Sequence, residues 1–201
     1  PICECRRRVR VHGLLEDVEF QERLWRVDVE LAEQLRVRGC PRRHCGGRLQ
    51  GANFQRKVRG VSVDGSQFGK RLGLCCGRCR RRVLPPTVRF FGRSSYAFIA
   101  VLVATVTALL GAVTARAILV GAAWRTVSRW LRFMQCGLAA HPQWQASRGR
   151  LPAELSLPRM PLAVIEVFGP SDSAQAWFAA LHWLSPITTT PLFSSRITRA
   201  G

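Results

Sequence analysis

Two pairs of cysteines, Cys40 and Cys45 in CPRRHCGG and Cys76 and Cys79 in CGRC, restrict this chain more than any other feature of its sequence. A structural zinc ion takes four soft or borderline ligands in a tetrahedron, commonly from two short knuckles that supply two each. Gly46 and Gly47 suit the tight turn of a knuckle, and the stretch between the pairs leaves room for the hairpin of a zinc ribbon. The second knuckle has the usual two-residue gap. The first has four, inside the wider zinc range, so His44 could replace Cys45, as Cys75 could replace Cys76 in LCCGRCRRR. Metal-free reduced thiols and a redox pair are the alternatives. Four cysteines would close the site, and without a nearby carboxylate to act as base the role is structural rather than catalytic. Cys3 and Cys5 sit too close together for a knuckle.

Composition limits what such a module would meet. The 201 residues suffice for one ordinary domain or two small ones. Their net charge of +19 repels itself unless something acidic binds it, which points to nucleic acid or an anionic membrane surface. Acids gather in 16–33, EDVEFQERLWRVDVELAE, and none occurs between Asp64 and Glu154. All the cations but Lys57 and Lys70 are arginines, whose forks match phosphate. The chain opens PICECRRRVR, with neither Met nor a secretory leader, and so reads as a fragment or an upstream start. Without a leader, metal ligation is favoured over a disulfide framework.

Residues 1–15 read as a basic tail. From residue 16 onward Leu24, Val27, Leu31 and Leu35 recur at helical spacing, predicting an amphipathic helix stopped by Gly39. Between the cysteine pairs, LQGANFQRKVRGVSVDGSQFGKRLGL is rich in glycine and short polar turns with scattered Val, Phe and Leu, which suits short strands. Helix and zinc-ribbon-like module together span 16–88. VLPPTVRFFGRSS reads as an extended linker, because consecutive prolines stop regular structure. The segment 138–201 is Pro-rich, with an apolar stretch PLAVIEVFG and one helix, SAQAWFAALHWL, capped by Ser171, Asp172 or Ser173.

The uncharged run 96–115, YAFIAVLVATVTALLGAVTA, has two readings. By hydropathy it passes for a membrane helix, since about 20 apolar residues cross a bilayer core of about 30 Å. The protein would then be anchored in the inner membrane with a cytoplasmic zinc module. Arginines flank both ends, so the positive-inside rule gives no orientation. Alternatively Gly111 ends a buried helix, Thr114 caps a second short one, and Gly121 turns into a third, WRTVSRWLRFMQ. In that third helix Val127, Trp130, Leu131 and Met134 share one face, with Arg125, Ser128, Arg129 and Arg132 largely opposite. Helix, glycine turn, and a helix with arginine and small polar residues near its start is the order of a helix-turn-helix, placed here in 89–137.

GCPRRHCGGRL, FQRKVRG, LCCGRCRRRVLPPTVRFFGR, WRTVSRW and LSPITTTPLFSSR together resemble a family of uncharacterised bacterial proteins met beside insertion sequences and labelled transposase-like or helix-turn-helix proteins. The likeness runs from about Arg23 onward. It implies a zinc-ribbon-like module followed by a helix-turn-helix, with Cys40, Cys45, Cys76 and Cys79 as ligands and Arg125, Thr126, Ser128 and Arg129 at recognition-helix positions. The long first knuckle departs from that family.

The expectation is therefore a small α+β protein: an N-terminal helix, a zinc-ribbon-like β module, then a mainly helical helix-turn-helix region. Its function would be cytoplasmic DNA binding of mobile-element origin, beside a transposase or recombinase chain. Structural Zn²⁺ would hold the module. Arg78, Arg80, Arg81 and Arg82 would meet phosphates on double-stranded DNA, and Arg125 and Arg129 the bases. Nuclease chemistry of the common kind needs metal ions held by several carboxylates, and after the acid-free region only Glu154, Glu166 and Asp172 are available. An enzyme is not expected.

Overall fold

The computed structural model describes residues 11–62, 67–92, 95–111, 121–152 and 155–189. A short 3₁₀ turn, Val11–Leu15, leads into helix α1, Val18–Arg38. The Asp17 carboxylate accepts the Phe20 N–H at 3.0 Å and caps the start. Gly39, at φ +76°, ends the helix where the glycine predicts, its N–H bonding to the Arg36 carbonyl. The buried face is rotated slightly from the predicted stripe: Phe20, Leu24, Asp28 and Ala32 are buried, whereas Val27, Leu31 and Leu35 are half-buried.

Five short strands follow: β1 (Leu49–Gly51), β2 (Phe54–Gln55), β3 (Lys70–Arg71), β4 (Leu74–Cys76) and β5 (Arg82–Val83). An antiparallel sheet runs β1-β4-β5, with Leu49 opposite Cys76 and Leu74 opposite Val83. Strands β2 and β3 pair separately, Phe54 opposite Arg71. The apolar centre of this module consists of Cys40, Leu49, Leu74 and Cys76, with Leu35, Cys45, Cys79 and Val83 against it. Half of that set is cysteine, too little carbon to hold strands this short without a staple.

The rest is helical: α2 (Phe98–Leu109), α3 (Trp124–Arg132) continuing through a π turn at Phe133–Gly137, α4 (Pro142–Ser147), α5 (Leu162–Val167) and α6 (Ala174–Leu184). Every residue of α2 from Phe98 to Val106 is buried, so the uncharged run supplies a central core helix. Thr105 and Thr107 direct their hydroxyls to the carbonyls of Val101 and Val103, at 2.8 and 2.7 Å. The helix stops at Leu109 and Gly111 turns away at φ +84°. Its twelve residues extend about 18 Å at 1.5 Å each, well short of a bilayer core. No helix among the described residues is long and apolar enough to cross a membrane. Residues 112–115 of the proposed span, and the helix expected after Thr114, lie outside the described residues. One large core joins Leu14, Leu15 and Leu24 to α2, Trp130 and Met134, Trp144, Ile165, and Trp177 and Leu181. Helix α6 starts after Ser173, whose side chain makes no capping bond.

The segment read as a linker is instead among the most deeply buried. Thr87, Val88, Phe90 and Phe91 are at most 1% exposed and Arg89 is 4% exposed. Asp28 is the reason: its carboxylate accepts the Thr87 hydroxyl at 2.6 Å, the Val88 N–H at 2.8 Å and Arg89 Nε at 2.8 Å. Arg89 also donates to the carbonyls of Phe68 and Lys70, at 2.8 and 2.6 Å, and lies 4.5 Å from the Trp25 ring centroid. Prolines exclude helix here, but the extended backbone finds its partners on α1 and inside the module. Arg71 is buried nearby, donating to the Pro85 carbonyl at 2.9 Å, and burial lowers its pKa to about 10 against the pull of Asp28.

Candidate metal centre

Knuckle 40–45 leaves the end of α1, and knuckle 76–79 leaves the end of β4. Antiparallel pairing of β1 with β4 sets Leu49 opposite Cys76, and the Gly77 N–H bonds to the Arg48 carbonyl at 3.0 Å. The Cys40 N–H donates to the Gly47 carbonyl at 3.0 Å, closing the first loop over the same point. These bonds bring Cys40, Cys45, Cys76 and Cys79 together, with one sulfur from each lying within 4.8 Å of the other three. Cys45 and Cys76 are 3.6 Å apart, Cys40 and Cys79 3.8 Å. Four sulfurs about 2.3 Å from one ion in a tetrahedron stand about 3.8 Å apart, whereas a disulfide needs about 2.0 Å. All four are free thiols at the spacing of a tetrahedral metal site, and a cation would replace the repulsion of four converging ligands with bonds.

His44 and Cys75 are not part of the group. His44 is exposed at the crest of the first loop at φ +60°, and Cys75 projects from the opposite face of β4, as alternation along a strand requires. The extra length of the first knuckle is accommodated by a left-handed turn at this residue, and Gly46 follows Cys45 at φ +56°. Arg80, the residue after Cys79, adopts φ +59°, so the backbone turns alike after the second cysteine of each knuckle.

Backbone amides polarise the site. The Cys79 N–H points at Cys76 Sγ at 3.4 Å, and together with the amide of Arg78 it lowers the Cys76 pKa to about 6 against the effect of burial. The opposite holds for Cys40. The amide of Arg42 favours its thiolate, but burial and the sulfurs of Cys45, Cys76 and Cys79 together push it up to about 12. Backbone amides thus favour the thiolate at Cys76, while burial and the neighbouring sulfurs favour the thiol at Cys40. Metal uptake must displace the Cys40 proton, so affinity rises with pH.

Gly47 is the member of the site that spacing alone does not reveal. A Cβ there would meet Cys76 Sγ and Arg78 Cβ, each at 2.7 Å. Gly47→Ala is expected to cost about 1–3 kcal/mol through overpacking and to weaken metal retention in a chelator competition. Gly46→Ala, with open space around its Cβ, should cost about 1 kcal/mol through its positive φ alone.

Arg78, Arg80, Arg81 and Arg82 are all exposed. Arg78 bridges the knuckles, donating to the Cys45 carbonyl at 2.9 Å, and the Arg82 guanidinium lies 5.1 Å from the Phe54 ring centroid. Arg42, Arg43 and Arg48 add three exposed guanidinium groups on the first loop and its exit. Among the described residues no carboxylate pairs with Arg42, Arg43, Arg48, Arg80 or Arg81.

On α3, Arg125 and Arg129 are exposed and Thr126 and Ser128 half-buried, while Val127 and Trp130 pack into the large core. Trp130 meets Tyr96 edge-on at 4.8 Å. Leu131, predicted on the apolar face, is half-buried, and Phe133 is buried beside Met134 through the π turn. Of the three late carboxylates, Glu166 pairs with Arg159 at 2.8 Å, Asp172 is exposed, and Glu154 lies outside the described residues. The chain matches no family model, no curated protein and no solved structure.

Proposed function

We propose that the chain is a DNA-binding protein in which a structural zinc ion on Cys40, Cys45, Cys76 and Cys79 fixes a basic surface against phosphates. The observation that carries this reading is the set of exposed arginines on the two knuckles without acidic partners among the described residues. Such charge left open on a module this small is costly unless a polyanion meets it. Zinc is favoured because four thiolates in a closed tetrahedron suit a d¹⁰ ion with no geometric preference of its own. Double-stranded DNA is the partner, gripped by Arg78, Arg80, Arg81 and Arg82, with Arg125 and Arg129 on α3 as candidates for the bases. The proposed setting is a mobile element, where a separate transposase or recombinase chain would supply the strand chemistry.

Phosphate contacts release counterions, so affinity should fall steeply with salt, by about 0.9 in log–log slope for each contact. Fluorescence anisotropy with a labelled duplex is expected to show this, and Arg80→Ala and Arg81→Ala should each reduce the slope by about 1 on any DNA sequence. Binding that holds constant between low and moderate salt would sink the reading. Arg129→Ala should instead change the preference among sequences.

A further inference from the structure

Beside the metal centre lies an open groove of about 610 Å³, within the size range of small-ligand sites. Four elements build it. Leu35 comes from α1, Pro41 and Arg42 from the first knuckle, Phe54 from β2, and Arg82 and Val83 from β5. Leu84 and Pro86 line it from the buried segment, and Thr188 and Thr189 close one side.

Charge and shape point to one class of occupant. Three guanidinium groups, those of Arg42, Arg56 and Arg82, line the groove, and among the described residues no carboxylate does. An anion is therefore favoured. The apolar surface of Leu35, Val83, Leu84 and Pro86 offers nothing to a bare inorganic anion, which prefers water, but suits a flat uncharged ring. One wall already shows how such a ring is held: the guanidinium groups of Arg82 and Arg56 lie 5.1 and 5.5 Å from the centroid of Phe54. Guanidinium and aromatic planes are the surfaces on which nucleobases stack. The hydroxyl of Thr188 is already engaged, accepting the Thr87 N–H at 3.0 Å and donating to the Ser185 carbonyl at 2.6 Å. This pins the threonine side to the core and leaves recognition to the arginine and Phe54 side.

We infer that the groove takes one unpaired nucleotide of a nucleic-acid strand, its base against the wall of Phe54 and Arg82 and its phosphate toward Arg42. The inference rests on the nucleic-acid reading above and deepens it. Bases inside a duplex have both faces covered by their neighbours, so only a displaced, terminal or single-stranded nucleotide could enter. Arg42 stands between two metal ligands and Arg82 three residues after another, so the strand on the knuckle arginines leads into the groove.

The test uses the full, metal-loaded chain and three labelled probes: a short oligothymidylate, an abasic strand with the same number of phosphates, and a duplex. Oligothymidylate is expected to bind about tenfold tighter than the abasic strand, the effect of one stacked base. Phe54→Leu should erase that margin while duplex affinity changes by less than about twofold, and Arg82→Lys, which keeps the charge but not the planar stacking surface, should erase the margin whatever its effect on the duplex. Metal content and a melting curve verify each variant's fold; if Phe54→Leu is misfolded, Arg82→Lys decides. Equal binding of the base-bearing and abasic strands, or a margin that survives Arg82→Lys, overturns the groove assignment. Salt-dependent duplex binding in that case leaves the DNA-binding reading standing. A chain that binds none of the probes loses both, and displacement of oligothymidylate by an acidic peptide but not by the abasic strand reassigns the groove to a protein partner.

Discussion

Replacing Cys76 and Cys79 together with serine is expected to abolish the site proposed to hold one zinc ion and to unfold the module between Gly39 and Val83. A structural zinc site contributes about 10–16 kcal/mol of apparent binding free energy near neutral pH, and in small modules that is folding free energy. Among the described residues of 39–83 nothing else approaches this: the strands are two or three residues long and their shared apolar centre is built from Leu49, Leu74 and the cysteines themselves. The large core around α2 is a separate cluster and should survive, so circular dichroism is expected to keep most of its helical signal while amides of the module lose protection from hydrogen exchange. Strong chelation should reproduce the effect and zinc should reverse it. A serine variant that retains metal, or a chelated protein with unchanged exchange, would show that the thiols are merely packed.

Asp28→Ala is expected to destabilise the protein by about 3–5 kcal/mol, the usual result of removing one member of a buried ion pair and stranding the other. Arg89 would be left 4% exposed with its charge uncompensated, and the Thr87 hydroxyl and Val88 N–H would lose their acceptor together. Burial already lowers the pKa of Arg89 against the pull of Asp28, so the loss of that carboxylate removes what keeps the cation inside. Changing Asp28 and Arg89 together to apolar residues of similar size should cost much less than the sum of the single changes, as measured by chemical denaturation of the four proteins in the cycle. Additive costs would mean that the contact does not couple α1 to the 87–89 segment.

The elements legible in the sequence were those whose signal is local. Gly39 stops α1 because only glycine takes its backbone angle cheaply, and the cysteine spacing identified the four side chains that converge. The text between the cysteine pairs likewise yielded short strands. Reading 83–95 as a linker failed because the partners of its backbone are remote: Asp28 lies about sixty residues earlier and Thr188 about a hundred later. A hint was present, since a carboxylate at position 28 falls in the Phe20, Leu24, Ala32 spacing of the buried helix face and had to find a cation inside. The uncharged run looked like a span because hydropathy cannot distinguish lipid from a protein core, and the helix length decides. Gly47 and the groove were invisible for another reason: each depends on the distance between two knuckles that sequence spacing leaves undefined.

Arg80 brings two demands into conflict at one position. The second knuckle needs a left-handed residue after Cys79, as the first does after Cys45, yet it has arginine where the first has glycine. The side chain therefore costs about 1 kcal/mol in backbone strain while adding a positive charge to a crowded positive surface. Glycine would relieve both burdens and remove one exposed positive charge in the same step. A stiffer module and a more strongly charged one are thus alternatives at this residue, and a metal ion on the four sulfurs would hold the turn shut around the charged one.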